Sequence, residues 1–484
     1  MVFTSLTFIL FLTLVFSLYW LLRRRSPQNF LILVASYVFY GWWDWRFLSL
    51  IVISSVIDFT SGIMIDKSEK QGVRRAWLTV SILANLGMLG FFKYFNFFAS
   101  SLQTAAGSAG VHLGDMTLDI VLPVGISFYT FQTMSYTIDI YRRQMKSERD
   151  PIAFLAFVSF FPQLVAGPIE RASQLLPQFM ADRKFSYPLA AAGCREILWG
   201  FFKKMVIADN MGLVVQSIYP RYDDYSSPWL WLATTAFAFQ IYCDFSAYSH
   251  IAKGVSRLLG FELMRNFAYP YFSQDIAEFW RRWHISLSTW FRDYVFIPLG
   301  GSRGPMRVVI INTIIVFSVS GLWHGAAWNY IIWGFLNGLA FLPMYIWPKK
   351  NKKKVRADDI PGGPGLFPKP RVLLNMILMY VGMQVAWVFF ASPTLSASLD
   401  ILKRMFTVFS ADNPALHPDS WSALKALLFI GGLVIFEWVQ RAHENPLTLD
   451  KIYRPLRWAI YTVMLWSCFY FLPRPDSPFI YFQF

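Results

Sequence analysis

Charge is scarce in this 484-residue sequence: 15% of residues are Asp, Glu, Lys or Arg, against about 25% in a soluble domain. Cysteine is scarcer still. Cys194, Cys243 and Cys468 lie far apart, with no Cys-x-x-Cys pair and no metal-ligand spacing, which argues against a disulfide framework or a zinc site. The Asp-His-His-Cys signature of palmitoyl transferases is missing, as is His-Glu-x-x-His. The absence of the second removes the zincins. The Gly-rich stretch Pro298–Gly304 lacks the Gly-Lys-Ser/Thr ending of a phosphate loop and reads as a turn. No internal repeat is visible, which weighs against a transporter built from two related halves.

What the sequence does have is apolar and aromatic. Hydrophobic residues make up 55% and aromatics 19%, with 47 Phe, 23 Tyr and 20 Trp. A soluble chain of this composition would expose large sticky patches, whereas Trp and Tyr suit membrane–water interfaces. The net charge is +15, but the basic residues sit in short clusters between apolar runs: Arg23–Arg25, Arg142–Arg143, Lys203–Lys204, Arg281–Arg282 and Lys349–Lys354. That is the positive-inside pattern, favourable against anionic lipid heads, and it is read ahead of nucleic-acid binding. The run Val2–Leu22 has its basic cluster after it, so it reads as an uncleaved span with the N-terminus outside.

A hydrocarbon core about 30 Å thick takes roughly 20 apolar helical residues. Such runs lie near 2–22, 30–45, 46–65, 76–98, 118–140, 151–167, 189–216, 228–250, 308–323, 326–347, 372–394, 422–441 and 457–473. The expected fold is therefore all-α and polytopic, with roughly a dozen spanning or re-entrant helices. Residues 1–117 read as N-terminal transmembrane helices, 118–347 as a catalytic core and 372–484 as a C-terminal helical group. Residues 348–371, with eight basic residues and a Pro/Gly-rich stretch, read as a flexible cytoplasmic loop. A polar stretch, Ser410–Ser420, is expected on the opposite side.

Of six histidines, His112, His417 and His443 sit in polar, loop-like contexts and read as solvated. His324 ends the apolar run Val308–Trp323. From Arg307 to His324 a helix rises roughly 25 Å, and the next run leads back towards the Lys349 cluster. His324 is thus expected near the apex of a membrane hairpin, with Gly321 and Gly325 allowing a sharp turn or close approach. Thr313, Ser320 and His324 share a helical face. A structural imidazole bonded to neighbouring helices is the alternative, but ionisable residues inside a membrane usually line a functional path.

His284 lies in Trp280-Arg-Arg-Trp-His-Ile-Ser-Leu-Ser-Thr-Trp290. Read as one helix, Trp280, Trp283, His284, Leu287 and Trp290 share a face, as in an interfacial or re-entrant amphipathic helix. Arg281 or Arg282 either binds lipid phosphate or meets an anionic donor. Asp244, inside an apolar run, needs a cationic, imidazole or backbone partner. Its packing role and a catalytic one both stand open. A buried histidine able to take a proton from an attacking hydroxyl is the chemistry left standing, with Ser320 as a covalent relay a less favoured route.

At these residues the sequence resembles the membrane-bound O-acyltransferases. The motifs are Phe161-Pro-Gln-Leu-Val-Ala-Gly-Pro-Ile169, Trp280–Trp290, Arg292-Asp-Tyr-Val-Phe-Ile-Pro-Leu-Gly-Gly301 and Gly321-Leu-Trp-His-Gly325. Phe39–Trp45 and Gly125–Gln132 extend the likeness towards the N-terminus. It is greatest to the branch that O-acetylates alginate and D-alanylates teichoic acid. The family pattern Asp-Phe-Ser-Gly-Tyr-Ser-Asp has Ala247 and His250 in place of its Gly and last Asp, and Asn337 stands where Trp-Gly-x-x-His-Gly has His.

The resemblance implies helices around a tunnel leading to His324, with His284 matching a second histidine of that branch. It implies no bound cofactor, and acetyl-CoA or another acetyl thioester as donor substrate on the cytoplasmic face of a bacterial inner membrane. The acceptor lies across the membrane, on a periplasmic or membrane-anchored acetyltransferase partner, with a polysaccharide such as alginate as the indirect acceptor. His324 and His284 are the expected catalytic residues. Arg281, Arg282, Trp283, Trp323, Asp244 and Ser320 are the expected donor- and substrate-binding set, and membrane lipid is a further partner. The competing readings are a glycan or acyl-carrier flippase, disfavoured by the scarcity of intramembrane charge, and a non-catalytic scaffold of an exopolysaccharide complex.

Overall fold

A computed structural model describes residues 1–347, 355–409, 420–450, 452–472 and 479–480. The basic run Lys349–Lys354, His417 and the polar stretch 410–419 lie outside the described residues. No strand occurs among the described residues, and the chain divides into two compact units, one of residues 1–194 and 252–264, the other of 195–251 and 265–484.

The first unit opens with α1 (Leu6–Leu21), α2 (Arg25–Asp44) and α3 (Leu48–Lys67). Then comes α4 (Gln71–Leu89), which runs through a π turn at Gly90–Tyr94 into α5 (Phe95–Ser108). It continues with α6 (Ile126–Tyr141), α7 (Pro151–Val158) and α8 (Ala172–Met180), and then α9 (Tyr187–Phe201) begins. These apolar helices are joined by polar side chains that have no water to turn to. Ser81 and Asn85 on α4 donate to the two carboxylate oxygens of buried Asp58 on α3, at 2.5 and 2.8 Å. Ser54 on α3 and Thr133 on α6 donate to the Asn85 oxygen. The expected span 151–167 is helical only to Val158, because Pro162 and Pro168 cannot continue the hydrogen-bond ladder.

In the second unit a π-helical segment, Phe202–Ala208, leads to α10 (Asp209–Ile218) and the long α11 (Ser227–Leu258). Two seven-residue helices follow, α12 (Ile276–Arg282) and α13 (Ile285–Phe291). Next are α14 (Met306–His324), α15 (Trp328–Leu339), the short α16 (Leu342–Ile346) and α17 (Pro370–Ala391). The unit ends with α18 (Leu395–Thr407), α19 (Ser420–Gln440) and α20 (Arg454–Tyr470). Five helical stretches among the described residues are long and apolar enough to cross a membrane: 25–67, 71–108, 306–324, 370–391 and 420–440.

Buried charges are paired inside this unit, as a low-dielectric interior demands. Lys203 meets Glu437 at 2.6 Å, and Tyr242 donates to the same carboxylate. Lys204 bridges Asp244 and Asp209 at 2.6 and 2.9 Å. Two arginines hold the described part of the expected flexible loop. Arg282 donates to the Ala357 and Asp359 carbonyls, and Arg441 to those of Pro361, Gly363 and Gly365. Residues 357–365 are therefore strapped to the helices and not free.

The hairpin of α14 and α15 rests on glycine. A Cβ at Gly321 would run into the Tyr330 carbonyl oxygen, one at Gly334 into that of Phe317, and one at Gly338 would lie 2.9 Å from the Ile314 Cα. Small residues let membrane helices touch backbone to backbone. Gly334→Ala is expected to cost at least the 1–3 kcal/mol, roughly, of an overpacked core, read as a lower unfolding midpoint in detergent. Gly431→Ala on α19, where nothing lies within 4 Å of the added carbon, is expected to hold or raise that midpoint.

Candidate active site

The α14–α15 contact fixes where His324 stands. It is the last residue of α14, followed by Gly325 in extended backbone, whose own open side is filled by the Tyr330 ring. Three residues separate it from the start of α15, so His324 sits at the turn of the hairpin, as its place between two apolar runs suggests. It is 5% exposed.

His284 arrives from a different element. The single amphipathic helix expected over 280–290 is broken: Trp283 is extended, and His284 takes a left-handed backbone, φ 43° and ψ 56°. The break re-aims the chain between α12 and α13. The two imidazole rings come to 6.2 Å, centroid to centroid, and His284 is completely buried.

Around them the walls are aromatic. Trp323 lies against both rings, at 5.0 Å from His324 and 5.9 Å from His284. Trp333 of α15 and Phe390 of α17 close over His324 at 5.3 and 5.5 Å. Phe245 of α11 packs edge-on to His284 at 4.6 Å, with Phe267 stacked beyond it. Trp283 fills the next layer, against Phe267 and Trp387.

Other expected site residues fall into place or away from it. Ser320 is buried one turn before His324 on α14. Thr313, two turns earlier, bonds to Val309 and Tyr345 instead. Arg281 is exposed. Arg282 is buried, with its guanidinium taken up by Glu278 at 3.0 Å and by the Ala268, Ala357 and Asp359 carbonyls. Asp244 bonds to Lys204 and to the Ile480 backbone N–H at 2.7 Å. It reaches neither histidine, although its neighbour Phe245 does. His250 pairs with buried Glu196.

The sequence alone assigns no site role to Trp333, Phe390, Asn329 or Asn266. Asn329, buried at the start of α15, donates to the Phe389 and Ser392 carbonyls at the end of α17, which holds Phe390 over His324. Nothing in an aromatic-rich sequence separates Phe390 from 46 other phenylalanines (47 in all). A cavity of about 400 Å³ lies between α12, α15, α16 and α17, lined by Leu336, Asn337, Met379, Met383, Ala386 and Asp275 among others. Asn337 and Met383 stand one turn from Trp333 and Trp387, the stacked pair beside the histidines.

The sequence model of the membrane-bound O-acyltransferase family matches residues 79–348. A protein named probable alginate O-acetylase AlgI from Azotobacter vinelandii is 38% identical, over 93% of this chain and 87% of its own length. A peptidoglycan O-acetyltransferase from Helicobacter pylori is 35% identical, over 78% of this chain and 73% of its own. A teichoic acid D-alanyltransferase from Streptococcus thermophilus is 32% identical, over 49% of this chain and 59% of its own. With five membrane-length apolar helical stretches among the described residues, and a family match over more than half its length, this chain belongs to the membrane-bound O-acyltransferases and is a multi-pass membrane acyltransferase.

Proposed function

We propose that this protein moves an acetyl group from a thioester donor on the cytoplasmic side of a bacterial inner membrane to an acceptor hydroxyl on the periplasmic side, for O-acetylation of an exported polysaccharide such as alginate. The observation that carries this reading is the pair of buried histidines in an aromatic enclosure at the turn of an apolar hairpin. The names of its relatives support the O-acetylation part of this reading.

In this reading His324 is the general base. It takes the proton of the acceptor hydroxyl as the oxygen attacks the thioester carbonyl. The C–O bond forms, the C–S bond breaks, and the departing thiolate recovers the proton from the imidazolium. His284, beside it, orients the reacting groups. Trp323 and Trp283, with the other aromatic walls, exclude water that would hydrolyse the thioester. A thioester already carries a good leaving group, so Ser320 serves as lining and not as a covalent relay. Exposed Arg281 is the cation for an anionic donor such as acetyl-CoA. Arg282 and Asp244 act through the fold, since their polar atoms are engaged. The direct acceptor is a hydroxyl of a periplasmic or membrane-anchored partner, from which the acetyl group passes to the polymer. No resident cofactor enters the scheme.

Reconstitution in liposomes with labelled acetyl-CoA and a periplasmic partner tests this. His324→Ala is expected to lower transfer by about 10²–10⁴-fold, the usual worth of a general base. Full transfer by that variant would remove His324 from the reaction. Ser320→Ala is expected to stay within about threefold of wild type, since only a covalent relay makes its oxygen indispensable. Arg281→Glu is expected to raise the KM for acetyl-CoA about tenfold with little change in kcat, the signature of lost ground-state binding.

A further inference from the structure

The left-handed backbone of His284 needs a cause outside its own helix. Residues other than glycine take this conformation uncommonly, and they persist in it where surrounding structure over-determines it. His284 also stands at the N-cap of α13, where Ser, Thr, Asp or Asn ordinarily turns its side chain onto the first backbone N–H groups. His284 makes no such side-chain cap. Its ring faces Phe245, Trp323 and His324 instead.

The missing cap is supplied by Asn266. Its backbone carbonyl accepts from the N–H of Ile285 at 2.9 Å. Its side-chain oxygen accepts from both the N–H and the hydroxyl of Ser286, at 3.3 and 3.0 Å. Its side-chain amide donates to the Ser249 hydroxyl on α11 at 3.1 Å, one turn from Phe245 on the same helix. Two residues on, the N–H of Ala268 donates to the carbonyl of Arg282 at 2.9 Å, which pins the other side of the break. The segment Asn266–Ala268 thus clasps the turn from both ends, and Asn266 is 3% exposed.

We infer that Asn266 is a positioning residue for acyl transfer. It caps α13 in place of His284, and so frees the His284 imidazole to face His324. Capping from a distant residue lets a poor N-cap side chain occupy the N-cap position. The same asparagine ties that turn to α11, which carries the Phe245 wall. This inference rests on the reading that His284 takes part in the reaction.

The test uses the full chain reconstituted with labelled acetyl-CoA and its partner. It reads kcat, the KM for acetyl-CoA, and the imidazole NMR signal of His284, assigned by loss in His284→Gln. Asn266→Ala is expected to lower kcat about 10- to 100-fold with KM within about threefold, as for reacting groups displaced by an ångström, and to shift or broaden the His284 signal. Asn266→Asp keeps the accepting oxygen and is expected to recover most of kcat. Asn266→Gln keeps the chemistry but moves it by a methylene, and is expected to behave like Asn266→Ala. Should Asn266→Ala not fold, the Asp and Gln variants decide. Wild-type kcat and an unmoved His284 signal in Asn266→Gln would overturn the inference. His284→Ala serves as the control. If it abolishes transfer while Asn266→Ala and Asn266→Gln are fully active, the positioning role alone fails. If His284→Ala is itself fully active, the participation of His284 fails, and the role of Asn266 with it.

Discussion

The backbone contact between α14 and α15 is the constraint on which the site depends. Lipid gives helices no hydrophobic reason to associate, so close packing must hold them. Gly321, Gly334 and Gly338 leave no room for a Cβ between the two helices. That closeness turns the chain within three residues and leaves His324 at the hairpin's end. Trp333, one residue before Gly334, is then carried onto the imidazole by the same contact. A looser hairpin would move both the histidine and its wall.

The second histidine comes by a different device. The break between α12 and α13 interrupts a segment whose aromatic spacing suits one continuous helix. Trp280, Trp283, Leu287 and Trp290 are all buried, so the break does not expose them. It changes which way His284 points. Lys203 pairs with Glu437, and Lys204 with Asp244 and Asp209, while Tyr242 bonds to the Glu437 carboxylate and packs on Trp283 of the aromatic wall. The two imidazoles thus sit in an enclosure lined by rings.

Much of the helical plan was legible because membrane helices must be long and apolar. The runs near 2–22, 30–45, 46–65, 308–323, 372–394, 422–441 and 457–473 each coincide with a helix within a few residues. Helices α8 and α18 were not legible in this way, being short, with a polar face along one side. The strapped segment 357–365 looked like a loose linker because its restraint comes from Arg282 and Arg441, far away in sequence. Arg282 looked like a ligand for an anion because, besides Glu278 one turn before it, its partners are the carbonyls of Ala268, Ala357 and Asp359, which reach it only on folding.

By itself the sequence determined that this is a multi-pass helical membrane protein, that it is an acyltransferase, and that His324 ends an apolar arm. Those features are written in composition, run length and motif, which act locally. Tertiary structure alone decided that His284 and His324 meet, that Trp333 and Phe390 enclose them, and that Asn266 caps a helix whose own N-cap residue is turned to the site. The physical reason is that a left-handed turn, a ring contact and a remote cap depend on partners well apart in sequence, 66 residues for His324 and Phe390. No periodicity or local spacing along the chain records which of them will touch.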